Sequence, residues 1–508
     1  MAVYGIDFGT CYSCVAMAED DGSITIVPSS TAQNSIPSIV MFNTRKDGKP
    51  IVGLTAKRAL EHPNPQNVVA FIKTEMHEET TKKRYKITEE ETRYLSPIEP
   101  TACIYYELFS NANQHRLGLG HLAINNAVIT VPAVCSEKQR EQTKIAAQLA
   151  GINVLQVINE PTAAAISYNI HVGETILVFD LGGGTLDVSI VQRTSENEYK
   201  VLSSEGNPNL GGKDWDRSLI SLCYDNLGLT FCEDNVTEKQ LIQFEGYKID
   251  ICSAGDVEIN FVDAEGIQQT ISVTIEEFEQ NSQHLINNAL QVVDKAIASA
   301  KSHNEDLKID RVCLAGGASN MPAIQRTLQQ HLPTVPPILK QNPHFAICEG
   351  AAKYALSLLN ENTNYHNINI DDRGHSYGLL TYDQNGDLVV ENIILKNDPL
   401  AIVGRQFARY MGQAGNRLSI DIIENDYDDI QFKYKGQKTC FSGEVVFPTH
   451  LNIGEQVNLS LARDTDGVVC INVSYGNHLQ PISFETKMTS ISDDIIQKVR
   501  LFLSKMQN

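Results

Sequence analysis

Basic residues are scarce in this chain. Its 508 residues hold 41 Lys plus Arg against 62 Asp plus Glu, a formal charge of -21. Such a surface repels a phosphate backbone instead of releasing its counterions, which disfavours nucleic acid as a partner. Long apolar runs are missing too. No stretch approaches the roughly 18 unbroken apolar residues of a membrane span, and Met1 to Asp7 lacks the basic start and apolar centre of a secretion signal. A cytoplasmic protein with no membrane span is therefore expected. The 11 cysteines are an odd number spread over a long chain, which fits reduced thiols better than a disulfide framework. In that compartment triplets such as Asn235-Val-Thr237 have no meaning as glycosylation sites.

What is present is ordinary for a globular protein: 42% hydrophobic and 20% charged residues, which excludes disorder, collagen and coiled coil. A single core stops growing near about 250 to 300 residues, so more than one domain is expected.

Val3, Tyr4 and Ile6 run as a strand into Asp7, and Phe8-Gly9-Thr10 turns the chain into a second apolar run, Cys14 to Met17. The arrangement recurs much later. Thr175 to Phe179 runs into Asp180-Leu-Gly-Gly-Gly-Thr185, followed by Leu186 to Val191. Two copies so far apart indicate a duplicated domain rather than a solenoid, whose periods are about 20 to 50 residues. Between them Ser136-Glu-Lys-Gln139 is a capping box opening a helix that stops at Gly151, a strand follows from Val154 to Ile158, and Asn159-Glu160-Pro161 starts another helix. Strand and helix alternation of this kind is an α/β layered domain. A third strand-to-glycine junction joins Arg311 to Ala315 with Gly316-Gly317 and a helix near Pro322.

The pattern changes after about Asn360. Glu361 to Asn367 is polar and aperiodic, a linker by composition. From Ser376 onward come short strands and turns, including Leu388 to Val390, Leu418 to Ile422, Val468 to Val473 and the hairpin signal Asn385-Gly386. The division expected is 1–361, a nucleotide-binding domain; 362–374, a linker; 375–488, a β-sandwich; and 489–508, a short amphipathic helix with Ile495, Val499 and Phe502 on one face.

Polyphosphate binding requires close backbone approach with N–H groups aimed at oxygen, and carboxylates to hold a divalent cation through its waters. Asp7 and Asp180 head glycine turns that meet this requirement, and Gly316-Gly317 before a helix adds an anion-favouring junction. There is no Walker motif: Gly206-x4-Gly211-Gly212-Lys213 comes close, but Asp214 stands where the metal-binding Ser or Thr belongs. No G-x-G-x-x-G follows the first strand, so a Rossmann site is unsupported. An actin-like nucleotide fold is left.

Five segments carry a specific resemblance: Gly5-Ile-Asp-Phe-Gly-Thr10, Val157 to Ile166, Asp180 to Ser189, Leu210-Gly-Gly-Lys-Asp-Trp-Asp216 and Ala315 to Pro322. In order and spacing they resemble the 70-kDa heat-shock chaperones, the DnaK-like family. The resemblance implies an actin-like, ribonuclease H-like duplicated α/β ATPase domain followed by an all-β peptide-binding sandwich. It implies ATP/ADP and Mg2+ as cofactors, with Asp7 and Asp180 on the hydrated metal. It places Lys73 at the γ-phosphate and makes Glu160, Asp180, Thr185 and Asp187 further catalytic positions. It also implies that Gly9, Thr10, Cys11, Tyr12, the Gly182-Gly183-Gly184-Thr185 turn, Gly211, Gly212, Lys213, Glu245, Lys248, Cys252, Gly316, Gly317 and Asn320 surround the nucleotide. Phosphoryl transfer is mostly positioning and charge neutralisation, so a lysine, a metal and a water-orienting carboxylate suffice. Without the family context Lys73 would read as a surface lysine.

Departures from the family are equally specific. Where two arginines stack on adenine, this chain has Ile249 and Asn320. If each cation–π contact contributes about 0.5 to 2 kcal/mol, losing both weakens binding by roughly one to three decades. Cys11 replaces a usual threonine and creates Cys11-Tyr-Ser-Cys14, which reads as incidental thiols, with a disulfide, a metal site or an oxidant-sensitive ATPase as the alternatives. The linker, Asn367 to Asp372, keeps only two large apolar groups where the family has a leucine-rich segment, and the expected sandwich is followed by only 489–508, where the family has a long helical lid. Leu418, Ile420 and Ile422 alternate on one strand face, which suits either core packing or an apolar groove for an extended peptide.

The function expected is ATP-regulated binding and release of unfolded or client polypeptide, with a J-domain cochaperone and a nucleotide exchange factor as implied partners. Two rivals stand beside it: an actin-fold scaffold that holds nucleotide or a partner with little turnover, and a small-molecule kinase of the same fold.

Overall fold

The computed structural model describes residues 2–507 apart from 61–64, 134, 197, 303, 337–341, 360–368, 372–375, 384, 396–402, 411–413, 426, 428, 438, 464–468 and 476–491. The chain divides into two compact units: Met1–Ala133, Thr143–Asn369 and Asp493–Asn508 form the first, and Val134–Gln142 with Ile370–Ser492 the second. Most of the expected linker, namely 362–368 and 372–374, lies outside the described residues.

The first unit is built on two sheets that repeat one plan. In the first sheet the Val3–Asp7 strand pairs antiparallel with Tyr12–Ala18 and parallel with Asn126–Val131. In the second, Thr175–Leu181 pairs antiparallel with Leu186–Ser195 and parallel with Arg311–Ala315. Each central strand is buried almost throughout, which explains why both read as short continuous apolar runs. The first ends on Asp7 and the second one residue past Asp180, at Leu181, so each carries its aspartate at the end where the glycine turn begins. The duplication expected from the spacing of Asp7 and Asp180 is thus present in the pairing itself.

Helices position what the turns carry. The Ser136 capping box forms, with the Gln139 side chain accepting from the Ser136 N–H at 2.9 Å and the Ser136 hydroxyl accepting from the Gln139 N–H at 3.4 Å. The Glu160–Ser167 helix opens with Pro161 in its first turn and continues through three alanines, all buried. Ala346–Leu359 crosses it at Gly350, where a Cβ would lie 1.7 Å from the Ala163 carbonyl oxygen. Only glycine permits that approach, so a single hydrogen-sized side chain fixes how deeply Glu160 is set behind the first sheet.

The helix Asp493–Gln507 belongs to the first unit, packed against Ile98–Gly118 and the Lys49–Val52 strand. Its Val499, Phe502 and Leu503 are buried. The Phe502 ring lies 5.0 Å from that of Phe42 and has the Arg93 guanidinium 5.8 Å from its centre.

The second unit packs two sheets face to face. One runs Gln431–Lys433, Leu388–Ile394, Ser376–Tyr382, Gly415–Asn425 and Thr439–Leu451, and the other Val403–Tyr410, Gln456–Arg463 and Val469–Tyr475. Their facing residues, among them Tyr377, Ile422, Leu459 and Val473, form one core. The Asn385-Gly386 turn lies between the Ser376–Tyr382 and Leu388–Ile394 strands as expected, with Gly386 at φ 82°. Ile420 and Ile422 are buried in this core and Leu418 packs against it, so their alternation serves packing rather than an open groove.

Candidate functional site: a phosphate-type cleft

The two aspartate turns face one cavity of about 560 Å³. Of the residues expected around a nucleotide, Asp7, Gly9, Thr10, Cys11, Tyr12, Lys73, Glu160, Asp180, Gly182, Gly183, Thr185, Gly212, Lys213, Glu245, Lys248, Cys252, Gly316, Gly317 and Asn320 line it. Gly184, Gly211 and Asp187 are not on the wall. Asp187 lies opposite Asp180 in the strand register and is buried. Gly211 stands directly behind the glycine turn: a Cβ there would come within 2.4 to 2.5 Å of the Gly184 backbone.

One end of the cavity is acidic. The Lys73 ammonium donates to Glu160 Oε1 at 2.6 Å, and Asp7 and Asp180 lie within its electrostatic reach. Burial alone would lower the lysine, but Glu160, Asp7 and Asp180 together hold it above its ordinary value. Burial, and then the charge of Glu160, pushes the Asp7 carboxyl up to about 7. Asp180 is raised well above the carboxylate range, first by burial and then by Glu160, Asp187 and Asp7. Three carboxylates facing one lysine is an arrangement that wants further positive charge. Among the described residues no group of three or more His, Cys, Asp or Glu is arranged to hold a metal by itself. Asp7 and Asp180 are two carboxylates that could serve a cation keeping most of its waters, as Mg2+ does.

The backbone around this end is stitched together. Within the glycine turn the Gly182 N–H donates to Thr185 O at 3.1 Å, and the N–H groups of Gly212 and Lys213 donate to the carbonyls of Gly182 and Gly183 at 2.9 and 3.0 Å. The Gly212–Asn226 helix thus starts against the turn. Lys248 fastens the same point, donating to Gly212 O at 2.8 Å and pairing with Asp216 at 2.7 Å.

The rest of the wall mixes apolar and polar groups, with Glu245 and Lys248 on the same helix as Ile249 and Cys252. Ile249, Cys252, Asn320, Met321, His344 and Ile347 line it. The positions where the family's arginines stand are thus on the wall, occupied by an isoleucine and an asparagine. Burial lowers the His344 imidazole below its ordinary value. Cys11 lies against Gly183, and burial, followed by Glu245 and Asp216, raises its thiol strongly. A raised thiol is a poor nucleophile, which argues against an oxidant-sensing role. Cys11 and Cys14 are both free thiols.

Sequence reading missed the contact above the cavity. Lys57, in the short helix Leu54–Ala59, donates to the Tyr12 hydroxyl at 2.6 Å and to Glu245 Oε2 at 3.0 Å, and Tyr12 donates to the same oxygen at 3.1 Å. Tyr12 comes from the first sheet and Glu245 from the Glu238–Ala254 helix, so the three residues bridge the two halves of the unit. His344 was also missed. Neither carries a local signal: a lone lysine and a lone histidine acquire meaning only from groups distant in the chain.

The family profile described as Hsp70 protein matches residues 3–506, and the chain belongs to that family. It is 33% identical over 391 residues to a protein named Chaperone protein dnaK from Cyanidioschyzon merolae (strain NIES-3377 / 10D), an alignment covering 71% of this chain and 62% of that relative.

Proposed function

We propose that this chain is an ATPase that binds and releases unfolded or client polypeptides in step with its nucleotide, an actin-like nucleotide domain acting on a β-sandwich. The observation that carries the reading is the convergence of Asp7, Lys73, Glu160 and Asp180 on the Gly182–Thr185 turn in one cleft. Bound Mg2+ and ATP would supply the transferable phosphoryl group and the metal that neutralises it.

The chain's residues do the rest. Asp7 and Asp180 would hold the hydrated cation, and the glycine turn would offer N–H groups to phosphate oxygens without a side chain in the way. Lys73 keeps a full positive charge and places it beside the transferred group. Glu160, already accepting from that ammonium, orients the attacking water. Thr185 and Asp187 fix the turn and the strand behind it. A J-domain cochaperone and an exchange factor are the partners that suit this cycle, and the cytoplasm is the compartment that suits its free thiols. No described helix is long and apolar enough to cross a membrane.

The replacement of both base-stacking arginines favours a second reading, a scaffold that holds nucleotide loosely with little turnover. A small-molecule kinase has no use for the sandwich. The deciding measurement is the affinity of the full chain for an unfolded peptide in ATP and in ADP. A difference supports the chaperone cycle, because a coupling free energy is what such regulation means; equal affinities, with hydrolysis at background, favour the scaffold. Nanomolar ADP affinity would overturn the expected weakening.

A further inference from the structure

Among the described residues three lysines line the cavity and Lys57 sits above it; all but Lys213 are neutralised. Lys57, Lys73 and Lys248 pair with Glu245, Glu160 and Asp216 at 3.0, 2.6 and 2.7 Å. Lys213 also lines the cavity, yet its ammonium has no hydrogen bond or ion pair among the described residues. The neighbouring carboxylate is committed elsewhere: Asp214 accepts from the Gly211 N–H at 2.7 Å and from Arg217 at 2.7 Å. Burial, helped by the positive charges of Arg217 and Lys82, lowers the Lys213 ammonium below its ordinary value. A half-buried cation with no partner is unfavourable unless an anion arrives. Its place says which. Lys213 is the second residue of the Gly212–Asn226 helix, and its own N–H is tied to Gly183 in the phosphate turn.

We infer that Lys213 grips the terminal phosphates, and that this site selects its ligand by the polyphosphate rather than by the base. The inference rests on the nucleotide reading above and deepens it. Where the family's stacking arginines are expected, Ile249 and Asn320 line the cavity and supply no pair of guanidiniums. Recognition shifts toward the end where an uncommitted cation waits, so nucleoside triphosphates with other bases, and inorganic tripolyphosphate, are expected to compete with ATP.

The test is displacement of a fluorescent ATP analogue in Mg2+ by ATP, GTP, tripolyphosphate and adenosine, for the wild type, Lys213→Gln and Lys213→Arg. ATP and GTP are expected within a few-fold of each other, with measurable competition by tripolyphosphate. Removing one charge-assisted hydrogen bond should weaken the triphosphates by about 10- to 150-fold in Lys213→Gln. Adenosine should be unaffected, and Lys213→Arg should recover most of the loss. GTP and tripolyphosphate failing to compete where ATP does would overturn the inference, as would equal binding by Lys213→Gln. Should Lys213→Gln fail to fold, Lys213→Arg and the wild-type competition series still decide it. A wild type that binds neither the analogue nor any competitor would overturn the nucleotide reading itself.

Discussion

Replacing Lys57 by alanine should open the cleft faster. Its ammonium makes two charge-assisted hydrogen bonds, to Tyr12 and to Glu245, and the ion pair's side chains are only 23% and 16% exposed. Hydrogen bonds to charged groups contribute about 1.5 to 3 kcal/mol each. Taking one such bond as the part of the bridge broken before release, Lys57→Ala should raise the dissociation rate of a bound nucleotide about 10- to 150-fold. A second cross-cleft pair gives the control. Lys83 reaches Glu238 at 2.7 Å, but its side chain is 48% exposed, and exposed pairs contribute about 0.2 to 1 kcal/mol. Lys83→Ala should therefore accelerate release by about five-fold at most. Stopped-flow displacement of a fluorescent ADP analogue measures both rates. An unchanged or slower rate in a folded Lys57→Ala protein would refute the idea that this contact holds the two halves together.

Three further outcomes follow from the geometry. The Asp7 carboxyl, raised to about 7, binds its proton more tightly folded than unfolded; its contribution to stability is present at low pH and fades as pH rises from about 4 to 7. Thermal melts of the unliganded protein across that range should fall more steeply for the wild type than for Asp7→Asn, while Mg2+–nucleotide affinity rises with pH; identical slopes would contradict this. Lys73→Ala leaves Glu160, whose side chain is 6% exposed, buried beside Asp7 and Asp180 without its cation, so a loss of about 3 to 5 kcal/mol is expected in denaturant titration, with single-turnover hydrolysis at background. Adding Glu160→Gln should recover part of the stability but none of the hydrolysis. Phe502→Ala should destabilise the docked C-terminal helix by up to about 3 to 5 kcal/mol, seen as faster amide exchange over 493–507 with the cleft's exchange unchanged.

Much of this architecture was readable because its signals are local. A buried strand, an aspartate and a glycine turn occupy a dozen neighbouring residues, so both halves of the first unit announced themselves. The Ser136 capping box and the Asn385-Gly386 turn are likewise decided within four residues. What escaped depends on partners far away in sequence. Tyr12 and Glu245 meet across 233 positions, and nothing near Lys57 hints at either. Lys213 was legible as part of a glycine-rich segment, whereas its lack of a partner among the described residues depends on Asp214 turning back on Gly211 and Arg217. The alternation of Leu418, Ile420 and Ile422 showed one apolar face without saying what covers it, since a core and a groove demand the same period.

The docked helix also sets an order of assembly. Lys505 donates to the Asp47 carbonyl across 458 residues, and Phe502 closes over Phe42 in the same region. A ribosome adding about 5 to 20 residues per second would leave that apolar seat bare for about 20 to 90 seconds. The unit synthesised first is therefore completed last, after the whole of the second unit has been made.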